Sequence, residues 1–202
     1  HGGWIPLVIA TAMLAVMTTW KLGRERVGKF LRERSKPLDE FLDEVDRREP
    51  VRVTGTAVFM TSTGWGTPPV LLHHLKHNQV LHEQVVLLSI VALDVPIVPR
   101  SKRVEVERLR EGFFRVTASY GFMQTAKVTD ILRACDHAGL HTKPDATSFY
   151  LGREKLVVTK NPGLARWRKI LFSFLSRNSR SATDFFRLPP DRVVEMGMQL
   201  EI

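Results

Sequence analysis

The chain opens on an uncharged, almost wholly apolar run from Trp4 to Trp20, then turns abruptly at Lys21 into a block carrying Arg24, Arg26, Lys29, Arg32, Arg34 and Lys36. A helix rises ~1.5 Å per residue and a bilayer core is ~30 Å thick, so a span needs about 20 residues; His1, Gly2 and Gly3 supply the remainder. A helix buried in a soluble protein keeps a polar stripe, whereas this run is apolar on every side. It reads as one transmembrane helix with Trp4 and Trp20 at headgroup level and Pro6 in the first turn, where a missing N–H does no harm. A secretory signal carries its positive charges before the apolar core, and here they follow it. Basic residues mark the cytoplasmic end of a span, so everything after Lys21 is expected in the cytosol.

Beyond the span the periodicity changes. Leu22 to Val45 is helical and charged but interrupted at Ser35-Lys36-Pro37, because proline disfavours helical geometry in the residue before it. The second, acidic helix carries Leu38, Phe41, Leu42 and Val45 on one side. Val51 to Met60 is rich in β-branched residues and predicts a strand, with a bulge at Gly55. A turn-rich stretch from Thr61 to Pro69 leads to a short helix over Val70 to Asn78. Val85 to Leu93 is a continuous apolar run of strand length, the pattern of a strand covered on both faces. Val104 to Leu109 and Phe113 to Tyr120 form a hairpin across Arg110-Glu111-Gly112. Val128 to Ala138 is a helix with Gly139 as its cap. Phe149 to Leu151 and Leu156 to Thr159 read as a second hairpin around Gly152-Arg153-Glu154-Lys155. Leu164 to Leu175 is an amphipathic helix carrying Trp167, Ile170, Leu171 and Phe174, and Val193 to Ile202 is a last strand. The fold class expected is one transmembrane α-helix followed by an α/β (α+β) cytosolic domain with a mixed sheet and flanking helices. The expected divisions are 1–21 for the transmembrane helix, 22–49 for a charged juxtamembrane connector and 50–202 for the domain.

Charge alters this picture only at one place. The net charge of +9 would suggest a nucleic-acid partner, yet the block from Lys21 to Lys36 holds seven positive and two negative side chains. Beside a membrane, each such cation gains about 1 kcal/mol from anionic lipid. Membrane lipid therefore accounts for the excess, and with no RNP pattern, finger spacing or helix-turn-helix, no nucleic acid is expected as a partner. Cys135 is the sole cysteine, which excludes an internal disulfide and suits a reducing compartment.

The candidate chemistry is sparse. His73 and His77 stand one helical turn apart, with His74 and His82 close by, and a membrane-anchored metal-binding enzyme using His73, His77 and His82 is the alternative function. His82-Glu83 lacks the second histidine of H-E-x-x-H, however, and no cysteine pair accompanies the helix, so packed histidines are the simpler reading. Cys135 lies in a helical pattern beside Leu132 and Ala138 and reads as a buried small hydrophobe. Gly64-Trp65-Gly66 lacks the strand-loop-helix setting of a phosphate loop, and Asp43 and Glu44 read as the solvated face of the connector helix. No catalytic, cofactor-binding or metal residue is assigned, no cofactor is expected, and the chain is not read as an enzyme.

Several blocks resemble one family. Gly55-Thr56-Ala57-Val58-Phe59-Met60-Thr61, then Pro69, Leu72-His73-His74-Leu75-Lys76-His77-Asn78 and Val80-Leu81-His82-Glu83, look like the cytosolic domain of the KUP/HAK/KT potassium transporters. Gly2-Gly3-Trp4-Ile5-Pro6-Leu7 and Met17-Thr18-Thr19-Trp20-Lys21 resemble that family's last membrane helix. Tyr120-Gly121-Phe122-Met123, Phe149-Tyr150-Leu151-Gly152-Arg153-Glu154 and Val193-Val194-Glu195-Met196-Gly197 with Glu201-Ile202 follow in the family's order. His74 stands where the family has asparagine, and Met198 and Leu200 vary its usual ending. The resemblance implies potassium uptake coupled to proton entry across the cytoplasmic membrane, with ion sites on earlier, broken helices near the bilayer midplane. No potassium-binding residue is carried over to this fragment, and the span holds no ionisable side chain between Trp4 and Trp20. On this reading the chain is the final span and C-terminal domain of a multi-pass protein, lacking its upstream helices. The domain then serves regulation or homodimer assembly, with a small nucleotide as one regulator to consider.

Overall fold

The computed structural model describes residues 3–33, 35–61, 66–157, 165–179 and 182–201. Its first element is α1 (Trp4–Glu33), an unbroken helix that runs straight through the change from apolar to charged sequence. At 30 residues it is about 45 Å long, more than a bilayer core requires. It is the one helix, among the described residues, long and apolar enough to cross a membrane. Its apolar side chains, Trp4, Leu7, Met13 and Met17 among them, are exposed, and its buried positions are Thr19, Gly23 and Val27, a stripe at four-residue spacing near the charged end.

α2 (Leu38–Arg48) begins directly after Pro37, as the proline requires, and ends at Glu49, whose left-handed conformation returns its N–H to the Val45 carbonyl. Leu38, Phe41, Leu42 and Val45 are all buried, so the apolar side of the acidic helix is its packing face. β1 (Val51–Thr61), α3 (Pro69–Asn78), β2 (Val80–Leu93), β3 (Val104–Arg110), β4 (Phe113–Gly121), α4 (Val128–Cys135), β5 (Thr147–Val157), α5 (Arg166–Arg177), α6 (Ala182–Phe185) and β6 (Val193–Glu201) follow. The six strands form one mixed sheet in the order β3-β4-β2-β1-β5-β6. β1 is parallel to β2 and to β5, β2 is parallel to β4, and β3 returns antiparallel on β4 across the expected hairpin.

Alternation along the strands divides the core in two. Val58 of β1, Val86 and Leu88 of β2, Val116 and Ala118 of β4 and Phe149 of β5 face α4, whose Ile131, Leu132 and Cys135 close over them. The neighbouring positions, Phe59 of β1 and Phe113 of β4, meet α3 and α2 through His74 and Phe41. Both faces of β2 are thus covered, which explains its apolar run. β2 starts five residues before that run, because polar His82 and Glu83 also lie in the strand and His82 pairs in register with Val53. The register shift between Val53 and Thr56 sits at Gly55, whose φ of +102° is the predicted bulge. The helix over Val128 finishes in a short 3-10 turn capped by left-handed Gly139.

Two expectations fail. The hairpin at Gly152-Arg153-Glu154-Lys155 does not form: β5 passes through these residues as one strand, and Gly152 takes no left-handed φ. The end of the second proposed strand, from Val158 to Thr159, lies outside the described residues, as does Leu164, the expected start of α5. In α5 the expected helix forms, but its buried residues are Lys169, Phe172 and Ser173; of the four apolar residues expected on one side, Leu171 is half-buried and Trp167, Ile170 and Phe174 are exposed.

The chain separates into two compact units. One comprises His1–Arg34, Glu154–Arg180 and Gly197–Ile202; the other comprises Ser35–Arg153 and Ser181–Met196 and holds α2 together with most of the sheet. Within the first, α5 lies against α1: Phe172 packs with Val27, and the Trp20 and Phe172 ring centroids are 5.7 Å apart.

Candidate functional site

α3 begins on Pro69, where a proline has no hydrogen bond to lose, and turns His74 inward with Val70, Leu71 and Leu75 while His73 faces solvent. His74 lies edge-on to Phe59 at 5.6 Å and to Tyr150 at 4.7 Å, and those two rings stack at 4.7 Å. His82, arriving on β2, stands 6.2 Å from His74 and 6.0 Å from Tyr150. Asn78, one turn along α3, donates from Nδ2 to His74 Nδ1 at 3.0 Å. Burial pushes the His74 pKa down, with neighbouring His82 adding to it, and burial likewise lowers that of His82. Both imidazoles are therefore neutral at pH 7, and burial raises the Tyr150 phenol. This cluster is a polar knot within the core that ties α3 to β1, β2 and β5.

The three histidines of the alternative metal centre are not brought together. His73 and His77 are neighbours on α3, with ring centroids 5.7 Å apart, whereas His82 sits with His74 on the inner side. Among the described residues no three His, Cys, Asp or Glu side chains form a group that could hold a metal ion. The other candidates are equally placed by packing. Cys135 is buried, donates to the Ile131 carbonyl at 3.2 Å, and has its thiol pushed up to about 11, mainly by burial. Asp43 and Asp46 both bind Arg110 of β3, Asp43 at 2.6 Å, while Glu44 binds Lys36 at 2.7 Å and Arg48 at 2.6 Å. The Lys36 ammonium holds the Glu44 carboxyl below its ordinary pKa, the opposite of what a general acid requires. Gly64 and Trp65 lie outside the described residues; Gly66 has a left-handed φ of +76°.

A groove that sequence reading missed runs between α2 and α3. It has a volume of about 640 Å³, an apolar floor of Phe41, Leu72 and Leu75, and a charged rim of Glu44, Arg48 and Lys76. No local signal marks it, because its two walls come from helices separated by a whole strand. Its chemistry is that of a binding surface: an apolar floor under a rim of mixed charge, whose one acid, Glu44, is already held ionised by Lys36 and paired with Arg48.

Residues 54–202 match the family described as the K+ potassium transporter C-terminal domain. Curated relatives extend the match over α1. The "Probable potassium transport system protein Kup" of Myxococcus xanthus is 54% identical over 201 residues, covering 100% of this chain and 31% of the relative. The protein of that description numbered Kup 1 in Geobacter sulfurreducens is 52% identical over 202 residues, and that numbered Kup 2 in Chromobacterium violaceum is 47% identical over 201, each with 100% of this chain and 32% of the relative covered. The chain thus spans about a third of the length of these relatives. No solved structure matches. These relatives are described as probable potassium transport system proteins. With its sheet domain matched by the family and its whole length aligned at about half identity, this chain belongs to the KUP/HAK/KT potassium transporters and carries their C-terminal domain.

Proposed function

We propose that the chain is the C-terminal part of a potassium/proton symporter that takes up potassium across the cytoplasmic membrane. The observation that carries this reading is the alignment of relatives along the whole chain, through α1 as well as the sheet domain, at about half identity. In this reading residues 1–21 are the last span, the charged remainder of α1 leads away from the bilayer, and α2 with the sheet and its helices forms a cytoplasmic domain. Lys21, Arg24 and Arg26 meet anionic lipid at the exit. Potassium and protons pass through portions of the transporter other than this chain, since α1 has no ionisable side chain from Trp4 to Trp20.

The domain serves regulation or homodimer assembly. A two-sided sheet with packed helices and a groove with an apolar floor and a charged rim supports a binding role over a chemical one. A small nucleotide suits that groove, with phosphate near Lys76 and a base against Leu72. Rubidium uptake by the full-length transporter in proteoliposomes tests the central claim: accumulation driven by an inward proton gradient is expected, and absence of flux overturns it. Calorimetry of the detergent-solubilised chain with adenine nucleotides and cyclic dinucleotides tests the regulator, which is removed if no heat is released.

A further inference from the structure

α5 is built inside out for a helix in water. Lys169 and Ser173 are buried with Phe172, while Trp167, Ile170 and Phe174, one face at three- and four-residue spacing, are each more than half exposed. An amphipathic helix on a soluble domain turns such a stripe inward. What covers this one follows from where α5 is held. Phe172 touches α1 within one turn of the end of the apolar run: its ring centroid lies 5.7 Å from that of Trp20, it packs on Val27, and a Cβ on Gly23 would come within 2.2 Å of its ring. Glycine at position 23 is what permits this approach. α5 is thereby pinned at the level where α1 passes from apolar to basic sequence.

We propose that α5 is an interfacial helix that lays Trp167, Ile170 and Phe174 into the headgroup layer of an anionic bilayer, beside the exit of the span. The inference rests on the reading of α1 as a membrane helix. Charge complementarity supports lipid as the occupant: α5 itself carries Arg166, Arg168 and Arg177, and the segment of α1 that it packs against carries Lys21 and Arg26. The Arg168 guanidinium lies 5.0 Å above the Trp167 ring, which keeps a charge next to an aromatic of the kind that favours the interface. The apolar side chains of α1, like those of the stripe, are exposed. An apolar face with cationic flanks gains both from burial among acyl chains and from anionic headgroups.

The test uses the full chain in two single-tryptophan forms. One keeps Trp20 (Trp4, Trp65 and Trp167→Phe) and the other keeps Trp167 (Trp4, Trp20 and Trp65→Phe). Each is reconstituted into phosphatidylcholine vesicles with and without phosphatidylglycerol, using lipids brominated high on the acyl chain. Quenching of both tryptophans is expected, with Trp167 emission shifted to the blue and its quenching strengthened by phosphatidylglycerol. Ile170→Asp with Phe174→Asp is expected to abolish quenching of Trp167 while leaving that of Trp20 intact. If Trp20 is quenched and Trp167 is not, the interfacial helix is overturned while the span survives. If Trp167 is instead shielded by contact between copies, seen as concentration-dependent cross-linking through α5, the stripe is a dimer face and the proposal fails. If neither tryptophan is quenched, both readings fall together.

Discussion

Phe41 of α2 meets Phe113 of β4 edge to face, with ring centroids 6.3 Å apart, and both side chains are about 1% exposed. The helix that sequence analysis took for a connector between bilayer and domain therefore contributes to the core of the unit that holds most of the sheet.

Phe41→Ala removes a fully buried ring from that contact and from the floor of the groove. A loss of about 3–5 kcal/mol in stability is expected, the usual cost of truncating a core phenylalanine. Arg110→Gln, which breaks the exposed ion pairs to Asp43 and Asp46 on the same helix, should shift the unfolding midpoint less. Urea unfolding of the two variants in detergent ranks them, and a larger shift for Arg110→Gln would refute the argument.

Gly55 allows β1 to bulge beside β5. Its φ is +102°, and a Cβ there would stand 2.5 Å from the Ala146 carbonyl oxygen, a backbone atom with no freedom to turn away. Gly55→Val should destabilise the domain by at least about 1–3 kcal/mol through strain alone. Thermal unfolding by circular dichroism measures it; a variant as stable as the parent would show that the bulge is not needed.

His74 and His82 have folded-state pKa values lowered by burial from an ordinary 6.5. In the unfolded chain they bind protons more readily, so their contribution is intact above pH 6.5 and is lost as pH falls below it toward the lowered values. Stability should decline from pH 7.5 to 5.5. His74→Asn, which removes one of these titrating groups, should flatten the decline, and unfolding midpoints at the two pH values decide between the outcomes.

Cys135 is wholly buried with its thiol pushed up to about 11. Only the thiolate reacts readily, so Ellman's reagent should label the native chain at pH 7.5 far more slowly than the urea-unfolded chain. Equal rates would mean that α4 opens freely from the sheet.

Much of the fold was legible because the signals were local. Pro37 stopped one helix and started another, the buried side of α2 followed from its spacing, and the alternation in β3 and β4 with Gly112 between them read correctly as a hairpin. The second supposed hairpin failed because Gly152 supplies a turn residue without a turn: β5 continues through it as extended chain. The polar start of β2 was missed because pairing with β1, not composition, holds Leu81 and His82 in the strand.

The amino-acid order alone determined the long apolar helix, its basic exit, the alternation of strands with helices and the blocks that mark the family. These depend on neighbours within a turn or two, where periodicity and charge act directly. Tertiary structure alone decided that β5 pairs with β1 some ninety positions away, that α2 and α3 enclose a groove, that His74 joins His82 and Tyr150, and which side of α5 is buried. An amphipathic pattern shows that a helix has two faces; what lies against each depends on the partner that reaches it. For α5 that partner is the glycine-opened stripe of α1, which takes Phe172 and leaves Trp167, Ile170 and Phe174 outward.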